Sequence, residues 1–168
     1  MAGRGLSTVI DSDRQRVYSV EDAWARALDR GGSVDFFGSS FTLPTQRILG
    51  DLHAMQLTAQ SWLDHPQCTS WYPSFGPVRV RARKGHSQAH YESSGVIAVP
   101  LQSAWACRES VLAHELAHHL SWEAHVAPHN ECFRLAMTRV AEIAFGPQAA
   151  LLLRAGYDGA GLAVAHVD

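Results

Sequence analysis

One stretch constrains this chain more than any other. Between Val111 and Leu120, the residues Val111, Leu112, Ala113, Leu116, Ala117 and Leu120 make a helix apolar nearly all round. That is the pattern of a helix buried in a core. The same run carries His114, Glu115 and His118. Two imidazoles and a carboxylate are costly to bury unless they are paired or bound to metal. Any fold for this sequence must bring compensating groups to the middle of its most apolar helix.

The spacing is His-Glu-x-x-His. Residues four apart on a helix sit about 40° apart around the axis, one turn above each other. His114 and His118 can therefore bind one ion from the same face. Glu115 lies roughly 60° round from His118 by the same arithmetic, close enough to reach a water on that ion without being a ligand. The chain has ten histidines, and chance predicts roughly 0.02 matches to the pattern in a chain of this composition. Five of the ten fall between His114 and His129.

A catalytic zinc takes three protein ligands and keeps a position open for water. The third ligand must come from outside the motif, and His119, Glu123, His125 and His129 are the candidates. His119 is rotated about 100° from its neighbour and reads as a packing residue. Glu123 and His125 lie in a loop that could fold back. His129 stands four residues before Phe133, which with Met137, Val140 and Ala144 forms the apolar stripe of the next helix. A helix starting by Pro128 or His129 turns His129 to the same inward face. His129 is the preferred third ligand, with His125 as the alternative. Neutral imidazoles suit zinc. Zinc lowers the pKa of its water from 15.7 toward about 7. Glu115 is then placed to take the proton and hand it to a leaving amine. The expected reaction is hydrolysis of an amide, with a peptide bond as the expected substrate. Tyr157, Arg154, Tyr91 and His90 are candidates for a further donor to the developing oxyanion.

Around this motif the pattern alternates helix and strand signals. Val20 opens a helix with Glu21 and Asp22 in its first turn, closed by Gly31-Gly32. Ser33–Phe37 and Phe41–Leu43 read as a hairpin about Gly38. Pro44 and Thr45 start a helix to about Asp64, followed by a loop rich in proline. Val78–Lys84 alternates strictly and reads as a half-buried strand. Ala89–Glu92 and Gly95–Val99 are further strands. A helix from about Ala104 to Leu120 carries the motif. Asn130–Phe145 and Pro147–Arg154 are the last two helices. The class is α+β, in one domain over residues 1–168.

Composition excludes other classes. Of the 168 residues 46% are hydrophobic and 18% charged, with a formal charge of −2. This is globular composition without a global basic field. No apolar run approaches the 18 residues of a membrane span, and Met1–Ile10 lack an apolar core for a signal segment. The expectation is a cytoplasmic protein, without a membrane partner. Cys68, Cys107 and Cys132 form no Cys-x-x-Cys pair and read as small buried hydrophobes. Arg79, Arg81, Arg83, Lys84 and His86 could hold a phosphate backbone, but the favoured reading is a solvated strand face that protects an edge. A domain in which zinc only holds helices together is a further alternative. The retained Glu115 speaks against it, because a structural site does not need that carboxylate.

The segment HELAHHL, followed within a dozen residues by a His four before a Phe, resembles the SprT-like and Spartan-type zincins. More closely, the chain is similar to a family of small bacterial metallohydrolases. The matching stretches are RVYSVEDAW, VDFFGSSFTLP, PVRVRARKGHSQAHYESSGVIAVP, RESVLAHELAHHL and GPQAALLLRAGYDGAG. The resemblance implies a minigluzincin-like single domain with a small mixed sheet. It also implies one zinc on His114, His118 and His129, Glu115 as base, and a peptide or protein substrate. It further implies that Gly95–Val99 borders the cleft, where an extended peptide could pair with it. Two positions depart from the pattern. Asn130 stands where the family has Gly, and Pro128 precedes the histidine instead of following it, which keeps His125 in play.

Overall fold

The computed structural model describes residues 9–166. The reading of Met1–Ile10 therefore falls almost wholly outside the described residues. The first element is α1 (Arg14–Arg30), which buries Val17, Glu21, Trp24 and Leu28. The spacing of those four is the i, i+4, i+7, i+11 stripe of one helix face. The helix starts six residues before the expected Val20, so Glu21 sits at its middle and not in its first turn. A hairpin follows, β1 (Gly32–Phe36) antiparallel to β2 (Ser39–Leu43).

The expected helix from Pro44 is much shorter. α2 runs Leu52–Leu63, with Asp51 accepting a hydrogen bond from the Ala54 N–H at 2.8 Å. The segment before it is extended because tertiary pairing overrides helix propensity there. Ile48 forms an isolated antiparallel bridge with Arg108. The buried Glu109 carboxylate accepts from the Arg47 backbone N–H at 2.6 Å and from its guanidinium at 2.6 and 2.9 Å. The proline-rich loop contains one short helix, α3 (Pro66–Trp71).

The second sheet has β3 (Arg79–Ala82), β4 (His90–Glu92) and β5 (Val96–Val99) in the order β3-β5-β4. β3 is parallel to β5 and β4 is antiparallel to it. β5 is thus the central strand, and all four of its residues are buried. This corrects the expectation that Gly95–Val99 borders a cleft. A strand paired on both sides has no free backbone for a peptide. The strand that packs against the motif helix is β4. The turn into β5 needs Gly95, which has φ +82°, and a Cβ there would lie 2.8 Å from the Pro77 carbonyl oxygen.

The motif helix is also split. A 3₁₀ turn (Ala104–Cys107) ends at the extended Arg108, and α4 (Glu109–Ser121) begins after it. α5 (Glu131–Phe145) and α6 (Pro147–Gly159) complete the chain. α4 packs more extensively on α5 than on any other element. Phe133, fully buried, sits at that contact, where a side chain of its size contributes about 2–3 kcal/mol. Helices and sheet share one hydrophobic core. Cys68 and Cys107 lie in it, but Cys132 is exposed on the first turn of α5, against expectation. Among the described residues no helix is long and apolar enough to cross a membrane.

Candidate metal centre

α4 delivers what its apolar pattern demanded: His114, Glu115 and His118 are all at least nine-tenths buried. His114 and His118 project from one face, and their Nε2 atoms are 3.2 Å apart. The third imidazole arrives from the turn before α5. His129 is 4% exposed, and its Nε2 lies 3.3 Å from that of His114. The helix itself starts only at Glu131, because the Asn130 side chain caps it by accepting from the Cys132 and Phe133 N–H groups at 2.8 and 3.0 Å. His129 still shares the inward face of Phe133, whose ring centroid is 4.9 Å away. Asn130, through this cap, fixes where the turn carrying His129 meets α5.

The other candidates for third ligand lie elsewhere. His125 is exposed, in a turn with φ +69°. Glu123 is exposed too. His119 donates from Nε2 to the Gly76 carbonyl at 2.8 Å and accepts at Nδ1 from the Tyr91 hydroxyl at 3.3 Å.

One ligand atom from each of His114, His118 and His129 can be chosen so that all lie within 4.8 Å of one another. These three buried histidines are close enough to hold a metal ion. Zinc–nitrogen bonds of about 2.0–2.1 Å at tetrahedral angles place ligand nitrogens about 3.3–3.4 Å apart. The separations of 3.2 and 3.3 Å match that spacing. The groups behind the imidazoles fix their tautomers. His114 Nδ1 is 2.5 Å from a Glu21 oxygen, and His129 Nδ1 is 2.6 Å from an Asp11 oxygen. Each Nδ1–H donates to a carboxylate, which leaves the Nε2 lone pair for a cation. Glu21 in turn accepts a hydrogen bond of 2.6 Å from the fully buried Tyr157 hydroxyl. Arg134, also buried, donates to the His129 carbonyl at 2.6 Å, to the Ala163 carbonyl at 2.6 Å and to Asp13 at 3.0 Å.

The electrostatics are those of a site tuned by burial. Burial lowers the His118 imidazole, and the neighbouring His114 and His129 lower it further, down to about 2. Burial and His114 also lower His129, with Asp11 opposing. Burial acts on His114 in the same direction, but Glu21 overrides it and carries the group up to about 9. Burial raises the Glu115 carboxyl, and Glu21 adds to that against the opposing His114 and the Tyr91 backbone amide. Without a cation, then, the shifts favour a second proton on His114 and neutral rings at His118 and His129.

The residues needed behind the ligands were not singled out in the sequence. Glu21 had a legible signal, a carboxylate on the apolar stripe of α1, which a later helix start disguised. Tyr18 stacks on His114 at 5.2 Å and lines the cavities on both sides of Glu115. Nothing in the sequence marked Asp11. Of the suggested oxyanion donors, Tyr157 is committed to Glu21, the Tyr91 hydroxyl to His119, and His90 to Arg83. Arg154, on α6, lines neither of these two cavities.

Fold and site together define a mixed α+β chain with a buried three-histidine candidate metal centre. Comparison with family profiles, with curated proteins and with solved structures finds no match to this chain.

Proposed function

We propose that the chain is a zinc-dependent hydrolase that cleaves peptide bonds, with His114, His118 and His129 as ligands and Glu115 as general base. The observation that carries this reading is the coincidence of three convergent imidazoles, two of them with Nε2 atoms 3.2 and 3.3 Å from that of His114, with a buried, non-ligating carboxylate one residue along the same helix. The resemblance to SprT-like zincins supports it. A cation bound there supplies Lewis acidity, polarising a carbonyl and acidifying water toward a pKa of about 7.

The protein's own residues do the rest. Glu21 and Asp11 hold two of the rings, and their carboxylates would offset the charge of a divalent ion held there. Glu115 faces both cavities of the cleft. Its carboxyl, raised by burial, moves toward the range in which one group can accept a proton from attacking water and return it to a leaving amine. β4 borders the cleft as an edge strand, so an extended backbone can be oriented along it. Glu115→Gln tests the reading. The variant is expected to retain one equivalent of zinc and lose at least 100-fold in turnover of a mixed peptide library. Full activity in that variant would remove Glu115 from the chemistry.

A further inference from the structure

The open side of the cleft is a cavity of about 600 Å³ that contains Glu115 and His118. Two arginines line it, Arg14 from the start of α1 and Arg83 from the loop after β3. Neither has a carboxylate partner among the described residues. Their neighbours are differently placed. Arg81, two positions from Arg83, is paired with Glu92, and Asp13 is taken up by Arg16 and Arg134. Arg83 is instead half-buried and held in place by a backbone carbonyl and an imidazole. Its Nη1 is 2.8 Å from the Gln88 carbonyl oxygen and 2.7 Å from His90 Nδ1. Arg14 lies with its guanidinium 5.6 Å from the centre of the Tyr18 ring, the ring that stacks on His114.

A guanidinium fixed by carbonyl and imidazole contacts, with its remaining N–H groups free, presents a planar fork suited to a carboxylate. Arg14 and Arg83 outweigh Glu115, so the cavity is net positive in a chain of formal charge −2. Local charge of that kind concentrates anions in the cleft. The row of basic residues expected on β3 therefore splits. One member is neutralised in the sheet and another is turned into the site.

We propose that this cleft selects peptides carrying a carboxylate close to the scissile bond, bound by Arg83 and Arg14. The inference rests on the reading of the site as a peptidase. The carboxylate can be an acidic side chain or the C-terminus of the substrate, and the two are separable by experiment.

The test is binding of fluorescein-labelled decapeptides to the zinc-loaded Glu115→Gln protein, read by anisotropy. Peptides differ only by Glu or Gln at one position, or by a free or amidated C-terminus. The expected result is binding about tenfold tighter for the acidic member, weakening with salt, and loss of the preference in Arg83→Gln and Arg14→Gln. Preference for the free C-terminus assigns the contact to the terminal carboxylate, and preference for Glu assigns it to a side chain. Equal affinity for both members of every pair overturns the inference, as does a preference that survives in the double arginine variant. If the wild type cleaves peptides without regard to charge, the inference fails while the peptidase reading stands. If no peptide is bound or cleaved, that reading fails and takes the inference with it. Tighter binding of a single-stranded oligonucleotide, lost in the same variants, would overturn it in favour of a nucleic-acid ligand.

Discussion

Zinc added to the metal-free protein should displace a proton from His114, and Glu21 decides whether that proton is there. The ring is fully enclosed, and burial alone would keep it neutral. The Glu21 carboxylate, 2.5 Å from Nδ1, reverses this and carries the pKa to about 9. At pH 7 the metal-free ring is two units below that value and holds its second proton on Nε2, the atom a metal needs. The competition amounts to roughly 100-fold in apparent affinity. His118 and His129, both lowered, carry no second proton to release. Calorimetric titration with zinc in buffers of different ionisation enthalpy counts the protons released. Glu21→Gln removes the charge that raises His114, so the wild type is expected to release about one proton more than the variant at pH 7. The comparison cancels any proton lost by water on the ion. By pH 10 the difference should vanish. Equal release by the two proteins at pH 7 would refute the argument.

Metal-free protein should lose stability as pH rises. The folded pKa of His114, about 9, lies above its ordinary 6.5. The stabilisation is thus complete below pH 6.5 and is lost through pH 9, about 3 kcal/mol in all, which urea midpoints at pH 6 and pH 10 will register. Asp11→Asn is expected to weaken zinc binding 10–100-fold in competition with a chelating dye, since it slackens the hold on His129. Tyr157→Phe strands a buried Glu21 oxygen and should cost about 1–3 kcal/mol in urea unfolding. Gly95→Ala combines a positive φ with a 2.8 Å approach to the Pro77 carbonyl and is expected to destabilise by at least about 1–3 kcal/mol.

Much of the site was legible because it is local. A helix repeats every 3.6 residues whatever surrounds it, so the spacing of His114 and His118 placed both rings on one face before any tertiary contact was known. The stripe through Phe133 likewise pointed His129 inward, although the cap at Asn130 meant that it did so from outside the helix. The hairpin about Gly38 and the helix after Pro147 were readable from their turn residues for the same reason.

The sequence by itself determined that a buried helix carries two imidazoles and a carboxylate at metal-binding spacing, and that helices and short strands alternate around it. The tertiary structure alone decided what stands behind those imidazoles and what opens in front of them. Asp11 is 118 residues from His129 and Tyr157 is 136 from Glu21, and no local periodicity relates groups so far apart. The same holds for the segment about Ile48, straightened by pairing with Arg108. It holds equally for the place of β4 at the sheet edge, since strand order follows from which faces the whole core must cover and not from the alternation within any one strand.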